Sequence, residues 1–361
     1  MYHIYSNAME SAYIRLNGRA NAWPVFIGNN HPFYSLNDPD DLGNVSYSII
    51  GSKTSELDLK QIEWEILVDA GNNTASYIIR NENRIPEAII LTHPHLDHTV
   101  GIDWIAESHV YRNEFKSKYP LYATLPCWEF VKQSFPQLKK IIEFHELVPG
   151  IQCKINEVED MSVTAFPVYH GDSGYGSSLL LFEHQNDDNT VRAVFTGDML
   201  SPMLRDKDFR EIAKAKVLYI DCNNRFSFPL SNHGSITTTD PKTGAKSTYL
   251  NKWLEELNFT RLAAPHLQYP FNSETHAYFD EFLKDHKDLK RIPHSITEFL
   301  KLAEIPNTNL VHYSGWDDKK YYNEKVLNDK ELESWSNQII TREGLKSKIY
   351  VPRTGDLFKL I

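Results

Sequence analysis

Four side chains able to bind a metal crowd into six residues, His93-Pro94-His95-Leu96-Asp97-His98. On an extended segment His93 and His95 point to one side, because successive side chains of a strand alternate. Asp97 and His98 follow after a turn and can face a second position. Imidazole and carboxylate hold zinc and similar divalent ions, and two such ions a few ångströms apart suit hydrolysis. A lone buried histidine is more often a satisfied core residue. Four such groups at the end of the apolar run Ala88-Ile89-Ile90-Leu91 read as a metal site.

A site for two ions needs ligands from further along the chain. His170 closes the apolar stretch 162–169 and precedes Gly171. Asp198 follows Gly197, which permits a tight turn, and a carboxylate there can bridge two cations. Taken alone, Asp198 would pass for a turn former. In this order of strands it is read as a ligand.

The elements that must position these groups are short apolar strands alternating with helical stretches, the pattern of a layered αβ protein. Strands are expected near residues 66–68, 88–91, 163–168, 178–182, 193–195, 217–220, 309–311 and 348–351, each rich in β-branched or aromatic residues. The chemically capable residues sit just beyond these runs: Asp69, the His93 cluster, His170, Asp198, Asp221 and His312. Strand ends carry loops that a rigid sheet holds in place, and function concentrates there. Residues 231–291 break the pattern with a polar, turn-rich part at 237–247 and two expected helices near 249–257 and 275–283. The segment is read as an insertion within a single domain spanning 9–361.

Composition narrows the alternatives. The chain has 361 residues, 41% hydrophobic and 12% aromatic, enough for a substantial core. No apolar run approaches the roughly 18 residues that a membrane span needs, and no secretory leader is visible. Ser6-Asn7-Ala8-Met9 resembles an expression-vector junction, so residues 1–8 carry no functional weight. Cys127, Cys153 and Cys222 are odd in number, far apart and without a CxxC pair, which speaks against disulfides and thiolate zinc sites and for the cytoplasm. A net charge of −10, with lysines and arginines mixed among acids, makes nucleic acid an unlikely partner. A small anionic substrate is compatible, because bound cations reverse the local field. Self-association into a homo-oligomer stays open.

Thr92-His93-Pro94-His95-Leu96-Asp97-His98-Thr99-Val100-Gly101 resembles the HxHxDH loop of the metallo-β-lactamase superfamily. Val68-Asp69-Ala70-Gly71 upstream and Phe195-Thr196-Gly197-Asp198 downstream are similar to its other landmarks. The resemblance implies an α/β fold, the αββα four-layer sandwich, carrying an insertion. It implies two divalent ions, zinc first, with manganese or iron as substitutes. His93, His95 and His170 would hold one ion; Asp97, His98 and a last histidine the other; Asp198 would bridge. For the last histidine, His312 in Asn309-Leu310-Val311-His312 is preferred over His266 in Ala264-Pro265-His266, because the segment after His312 is similar to the family's C-terminal end.

Asn21-Ala22-Trp23-Pro24, Pro167-Val168-Tyr169-His170-Gly171, Tyr219-Ile220-Asp221-Cys222-Asn223 and Ile292-Pro293-His294-Ser295-Ile296-Thr297 resemble segments of the phosphodiesterase branch, with its class II cyclic-nucleotide phosphodiesterases and ribonuclease Z. That likeness implies hydrolysis of a cyclic nucleotide or other small phosphodiester by metal-activated hydroxide. A histidine paired with an acid would protonate the leaving alkoxide. Asp221 is the expected acid partner, and His294 or the nearer His233 the histidine; with Asp97 these make up the expected catalytic residues. The plain structural role for His294 is helix entry beside the Ser295 N-cap. Asp69 would orient the ligand loop. Competing readings are a lactone or thioester hydrolase of the same fold, a ribonuclease that processes tRNA 3′ ends, and a catalytically dead scaffold. Retention of the whole ligand set argues against the scaffold.

Overall fold

The computed structural model describes residues 11–22, 30–54, 56, 58, 61–186, 189–228, 232–268 and 273–361. Trp23 and Pro24 of the early motif, and residues 1–8, lie outside the described residues. Two large sheets face each other. The first has seven strands in the order Leu357–Lys359, Ser11–Gly18, Ser46–Ser52, Ile62–Val68, Ala88–Ile90, Tyr119–Ala123, Ile142–Glu146. It is antiparallel as far as Ile62–Val68 and parallel beyond. The second runs Ser201–Pro202, Met161–Tyr169, Ser178–Asn186, Asn189–Phe195, Val217–Asp221, Asn307–Val311, Lys348–Tyr350, with Gln152–Lys154 beside Met161–Tyr169. Here too an antiparallel half passes into a parallel one, at the pairing of Asn189–Phe195 with Val217–Asp221.

Alternation along the strands decides which side chains meet. Ala12, Ile14 and Leu16 of one strand and Ile66 and Val68 of another pack against Val163, Ala165, Leu180, Phe195 and Tyr219 from the second sheet. Each such buried side chain contributes about 1.5–3 kcal/mol of apolar transfer energy. The opposite faces of both sheets are also apolar and need cover. Leu67, Ile89 and Leu121 receive Ile102, Ile105, Trp128 and Val131 from the helices Ile102–Arg112 and Leu125–Ser134. Phe166, Val194, Leu218 and Leu310 receive Phe209, Phe282, Phe299 and Ile339. The result is helix, sheet, sheet, helix: the four-layer sandwich expected from the sequence.

Within residues 231–291 the expected helices stand at Thr248–Glu256 and Ser273–Asp285, with a shorter one, Phe259–Ala263, between them. Ile236, Leu262, Tyr278, Phe279 and Phe282 from this segment belong to the core outside the second sheet. No helix among the described residues is long and apolar enough to cross a membrane.

Candidate metal centre

Strand ends from both sheets converge on one cluster. His93, His95, Asp97 and His98 follow the Ala88–Ile90 strand of the first sheet; His170, Asp198 and His312 follow strands of the second, and Asp221 ends one. His93, His95 and His170 form one group of candidate ligands, and Asp97, His98, Asp198 and His312 another; within each, the ligand atoms lie within 4.8 Å of one another. Asp198 stands between the groups. Its Oδ1 is 3.3 Å from His98 Nε2, and its Oδ2 is 3.7, 3.6 and 3.4 Å from Nε2 of His93, His170 and His312. Asp97 Oδ2 lies 3.6 Å from Nε2 of both His98 and His312.

The backbone turns that allow this have visible causes. Gly197 sits at φ 56°, and a Cβ there would come within 2.6 Å of the Thr92 Cβ, so the turn before Asp198 can touch the His93 turn only as glycine. Asp69 and His312 adopt left-handed angles, φ 58° and 68°, and each is held by neighbours. The Asp69 carbonyl accepts from Ser46 Oγ at 2.8 Å, and the His312 N–H donates to the Arg19 carbonyl at 3.0 Å.

Hydrogen bonds around the cluster fix which histidine nitrogen faces inward. Asp69 accepts from the Thr92 N–H (2.8 Å), the Thr92 hydroxyl (2.7 Å) and His98 Nδ1 (2.8 Å). With its proton given to Asp69, the Thr92 hydroxyl is the acceptor for His93 Nδ1 at 3.0 Å. His170 Nδ1 donates to the Asn232 carbonyl at 2.8 Å. Nε2 of His93, His98 and His170 therefore faces the cluster. His95 turns the other way: its Nε2 is 3.3 Å from Ser173 Oγ, and its Nδ1 is 3.0 Å from His170 Nε2.

This donor set fits divalent cations. Nε2 of His93, His98 and His312 is buried without a hydrogen-bond partner, and orphaned buried nitrogens are rare in folded proteins. His95 Nδ1 and His170 Nε2 face each other at 3.0 Å, a spacing that takes a proton or a cation between them. Charge agrees. Burial works to raise Asp198, but His312, His98, His233 and His93 hold it well below the usual carboxylate range. Asp97 is likewise opposed by burial and drawn down to about 2 by His98 and His312. Burial lowers His93 strongly and His170 to about 3, keeping both neutral and ready to ligate. His98 and His312 move the other way, His312 up to about 10: burial alone would lower them, but Asp198, aided by Asp97 and Asp69 at His98 and by Asp221 and Asp97 at His312, outweighs it. In the protein without cations those protons occupy the place a cation would take.

The catalytic candidates divide. His233 Nδ1 donates to Asp221 Oδ2 at 2.9 Å, and its ring stacks on His312 with centroids 4.9 Å apart. Asp221 also accepts from the N–H groups of Met199 (3.0 Å) and Gly234 (3.1 Å). Burial opposes its ionisation, yet His233 and His312 hold it below the usual range. His294 is placed elsewhere, with Nδ1 2.6 Å from Ser201 Oγ and its ring against Trp253. It stands next to the Ser295 N-cap, the plain structural role. His266 also lies outside the ligand groups, donating from Nε2 to the Val168 carbonyl at 2.9 Å. The supporting groups Thr92, Ser173 and Asn232 went unnoticed in the sequence. Only Thr92 had a local signal, its place between strand and ligand turn.

A family model described as the beta-lactamase superfamily domain matches residues 65–245. No curated protein matches the chain by sequence. Among solved structures, a diphosphatase of the PhnP family is similar at 15% identity and a TM-score of 0.58, over 96% of this chain and 97% of that one. The metallo-β-lactamase fold protein YhfI from Bacillus subtilis follows at 12% and 0.54, over 97% of this chain and 99% of its own. A long-form RNase Z from yeast matches at 13% and 0.52, over 99% of this chain but 43% of its own. At these identities the likeness establishes the fold. The family model takes in half of the chain and includes the His93–His98 turn, His170 and Asp198, so the chain belongs to the β-lactamase superfamily, a fold family of metal-dependent hydrolases.

Proposed function

We propose that the protein is a phosphodiesterase acting on cyclic nucleotides or other small phosphodiesters, with two divalent ions, zinc first, as its cofactor. The observation that carries the reading is the His233–Asp221 pair set beside the metal-ligand cluster. A site that needs only metal has no use for it. His93, His95 and His170 would hold one ion, Asp97, His98 and His312 the other, with Asp198 shared. When bound, the ions supply Lewis acidity and a nucleophile at neutral pH.

The chain's own residues do the rest. Asp69 locks the ligand turn through Thr92 and His98. Asp221, anionic and fixed by two backbone N–H groups, holds the His233 ring with its proton on Nδ1. The His233 side chain is 15% exposed, against 0–2% for His93, His98, His170 and His312, so with the half-buried His95 it lies toward the cluster's opening. Protonated on both nitrogens, it can give a proton from Nε2 to a departing alkoxide. A net charge of −10 supports a small substrate over a long polyanion. The free cysteines Cys127, Cys153 and Cys222 support a reducing compartment, the cytoplasm.

The test is a panel of metal-loaded protein against bis-para-nitrophenyl phosphate, cyclic nucleotides, lactones and thioesters. Turnover of the phosphodiesters is expected. Turnover of a lactone or thioester with no phosphodiester cleaved would overturn the assignment and leave the fold.

A further inference from the structure

Among the described residues ten large apolar side chains are exposed, and five of them, Leu96, Val100, Trp104, Tyr111 and Phe115, fall within residues 96–115. Trp104, Tyr111 and Phe115 are 68%, 66% and 65% exposed, which is unusual for aromatic residues. Val100 and Gly101 keep right-handed helical angles, so the Leu96–Thr99 turn runs on into the Ile102–Arg112 helix. At about 3.6 residues per turn Leu96, Val100, Trp104 and Tyr111 make one stripe, and Phe115, past the helix end, extends it with its ring 5.0 Å from that of Tyr111. The opposite side of the helix, Ile102, Ile105, Ala106 and Val110, is already buried against the first sheet. Trp104 also walls a groove of about 320 Å³ shared with Ile78, Ile79 and Ile85. A contiguous apolar patch of this kind marks an interaction site.

The charges beside the stripe indicate the occupant. On a helical wheel of Ile102–Arg112, Glu107 lies on one side of Trp104 and Tyr111, and Arg112 on the other. A second copy packed on the same stripe, about a two-fold axis along the helix, brings each acidic flank against the other's basic flank. Glu107 of one copy then faces the partner's Arg112, five positions further on, the offset at which parallel helices pair charges across an apolar seam. An anionic membrane surface would gain little there, because Asp103, Glu107 and Glu114 offset Arg112, Lys116 and Lys118 along the same stretch. We propose that this face docks a second copy of the same chain. Because Leu96 lies between the candidate ligands His95 and Asp97, the contact would cover the outer side of the ligand-bearing turn.

The experiment is sedimentation equilibrium on the metal-loaded full chain, with circular dichroism confirming that each variant folds. The wild type should be dimeric at about 10 µM. Trp104→Asp combined with Tyr111→Asp should be monomeric, while Leu302→Asp, at an exposed leucine elsewhere, should leave the dimer intact. Glu107→Lys and Arg112→Glu should each weaken dimerisation about tenfold, and the double reversal should return it to within about threefold of wild type. These charge variants decide the matter even where the aromatic variants fail to fold. A wild type that stays monomeric at about 100 µM, or a double reversal as weak as the single ones, overturns the proposal. So does binding to anionic vesicles that depends on Trp104 while the chain remains monomeric.

Discussion

At the scale of residues, most of the clustered histidines have one nitrogen committed to a protein partner and the other turned toward the carboxylates. Ring position separates the two candidates for the last ligand: His312 Nε2 faces Asp198 and Asp97, whereas His266 lies outside the ligand groups. His312→Ala should lose metal, read by elemental analysis, because its Nε2 lies 3.4 Å from Asp198 and 3.6 Å from Asp97. His266→Ala should keep its metal and cost about 1–3 kcal/mol of stability, by stranding the Val168 carbonyl. Burial holds His266 down near 4, as befits a neutral structural histidine. The proton donor was ambiguous in the sequence, because both His233 and His294 lie downstream of Asp221. The pairing of His233 with Asp221 depends on a chain turn that brings Gly234 beneath the Asp221 carbonyl, and no local motif records it. His233→Ala should slow cyclic-nucleotide hydrolysis about 10²–10⁴-fold, and bis-para-nitrophenyl phosphate far less, since its leaving group departs without a proton. Metal content should be unchanged, which separates an acid from a ligand. Equal slowing of both substrates, or lost metal, would remove His233 from the donor role. His294→Ala should affect both substrates alike.

Elements set the tolerances within which those residues work. The turn at Gly197 and the turn at Thr92 touch so closely that Gly197→Ala should cost at least about 2 kcal/mol and reduce metal content, by pushing Asp198 away from His93. A thermal melt with metal analysis checks both. All eight expected strands are present; seven have apolar runs buried on both faces, and Lys348–Tyr350 is a partly exposed edge. The strands that escaped notice had other patterns. Tyr119–Ala123 carries Pro120, Ile142–Glu146 is a half-exposed edge, and Ser46–Ser52 is mostly small and polar. Ser11–Gly18 alternates Ala12, Ile14 and Leu16 with Tyr13, Arg15 and Asn17 and was legible in principle. Its Arg15 is buried and bonds Glu65 at 3.0 Å as well as Glu82. Arg84 also reaches Glu65, at 3.8 Å, but is shared with Glu87, so two guanidiniums face three carboxylates. Burial, with Glu65 adding to it and Arg15 opposing, pushes Glu82 up to about 8. An unfolded glutamate titrates near about 4.3, so the folded chain binds this proton more tightly, and its contribution to stability, complete below about pH 4, is lost as the pH rises through 8. Glu82→Gln should leave the melting temperature nearly unchanged near about pH 5 and raise it near about pH 9. An equal shift at both would mean that Glu82 is ionised throughout.

Across the whole molecule the candidate ligands divide between the two sheets, and bound ions would tie one half of the sandwich to the other. Chelation should therefore lower the stability of the entire domain, by about 4 kcal/mol where free metal had stood at about a thousand times its dissociation constant. Scanning calorimetry should show one transition moving as a unit, with no separate melting of residues 231–291, whose Leu262, Phe279 and Phe282 share the core of the second sheet. The sequence revealed the layers because strands and helices alternate along it. It left the depth of that segment's burial hidden, because its polar turns at 237–247 read as an excursion. The most direct test of the account is an anomalous-scattering map of the metal-loaded protein. Two peaks are predicted, one bounded by His93, His95 and His170 and the other by Asp97, His98 and His312, with the Asp198 carboxylate touching both. A single peak, with Asp97 and His98 turned away from it, would contradict the account.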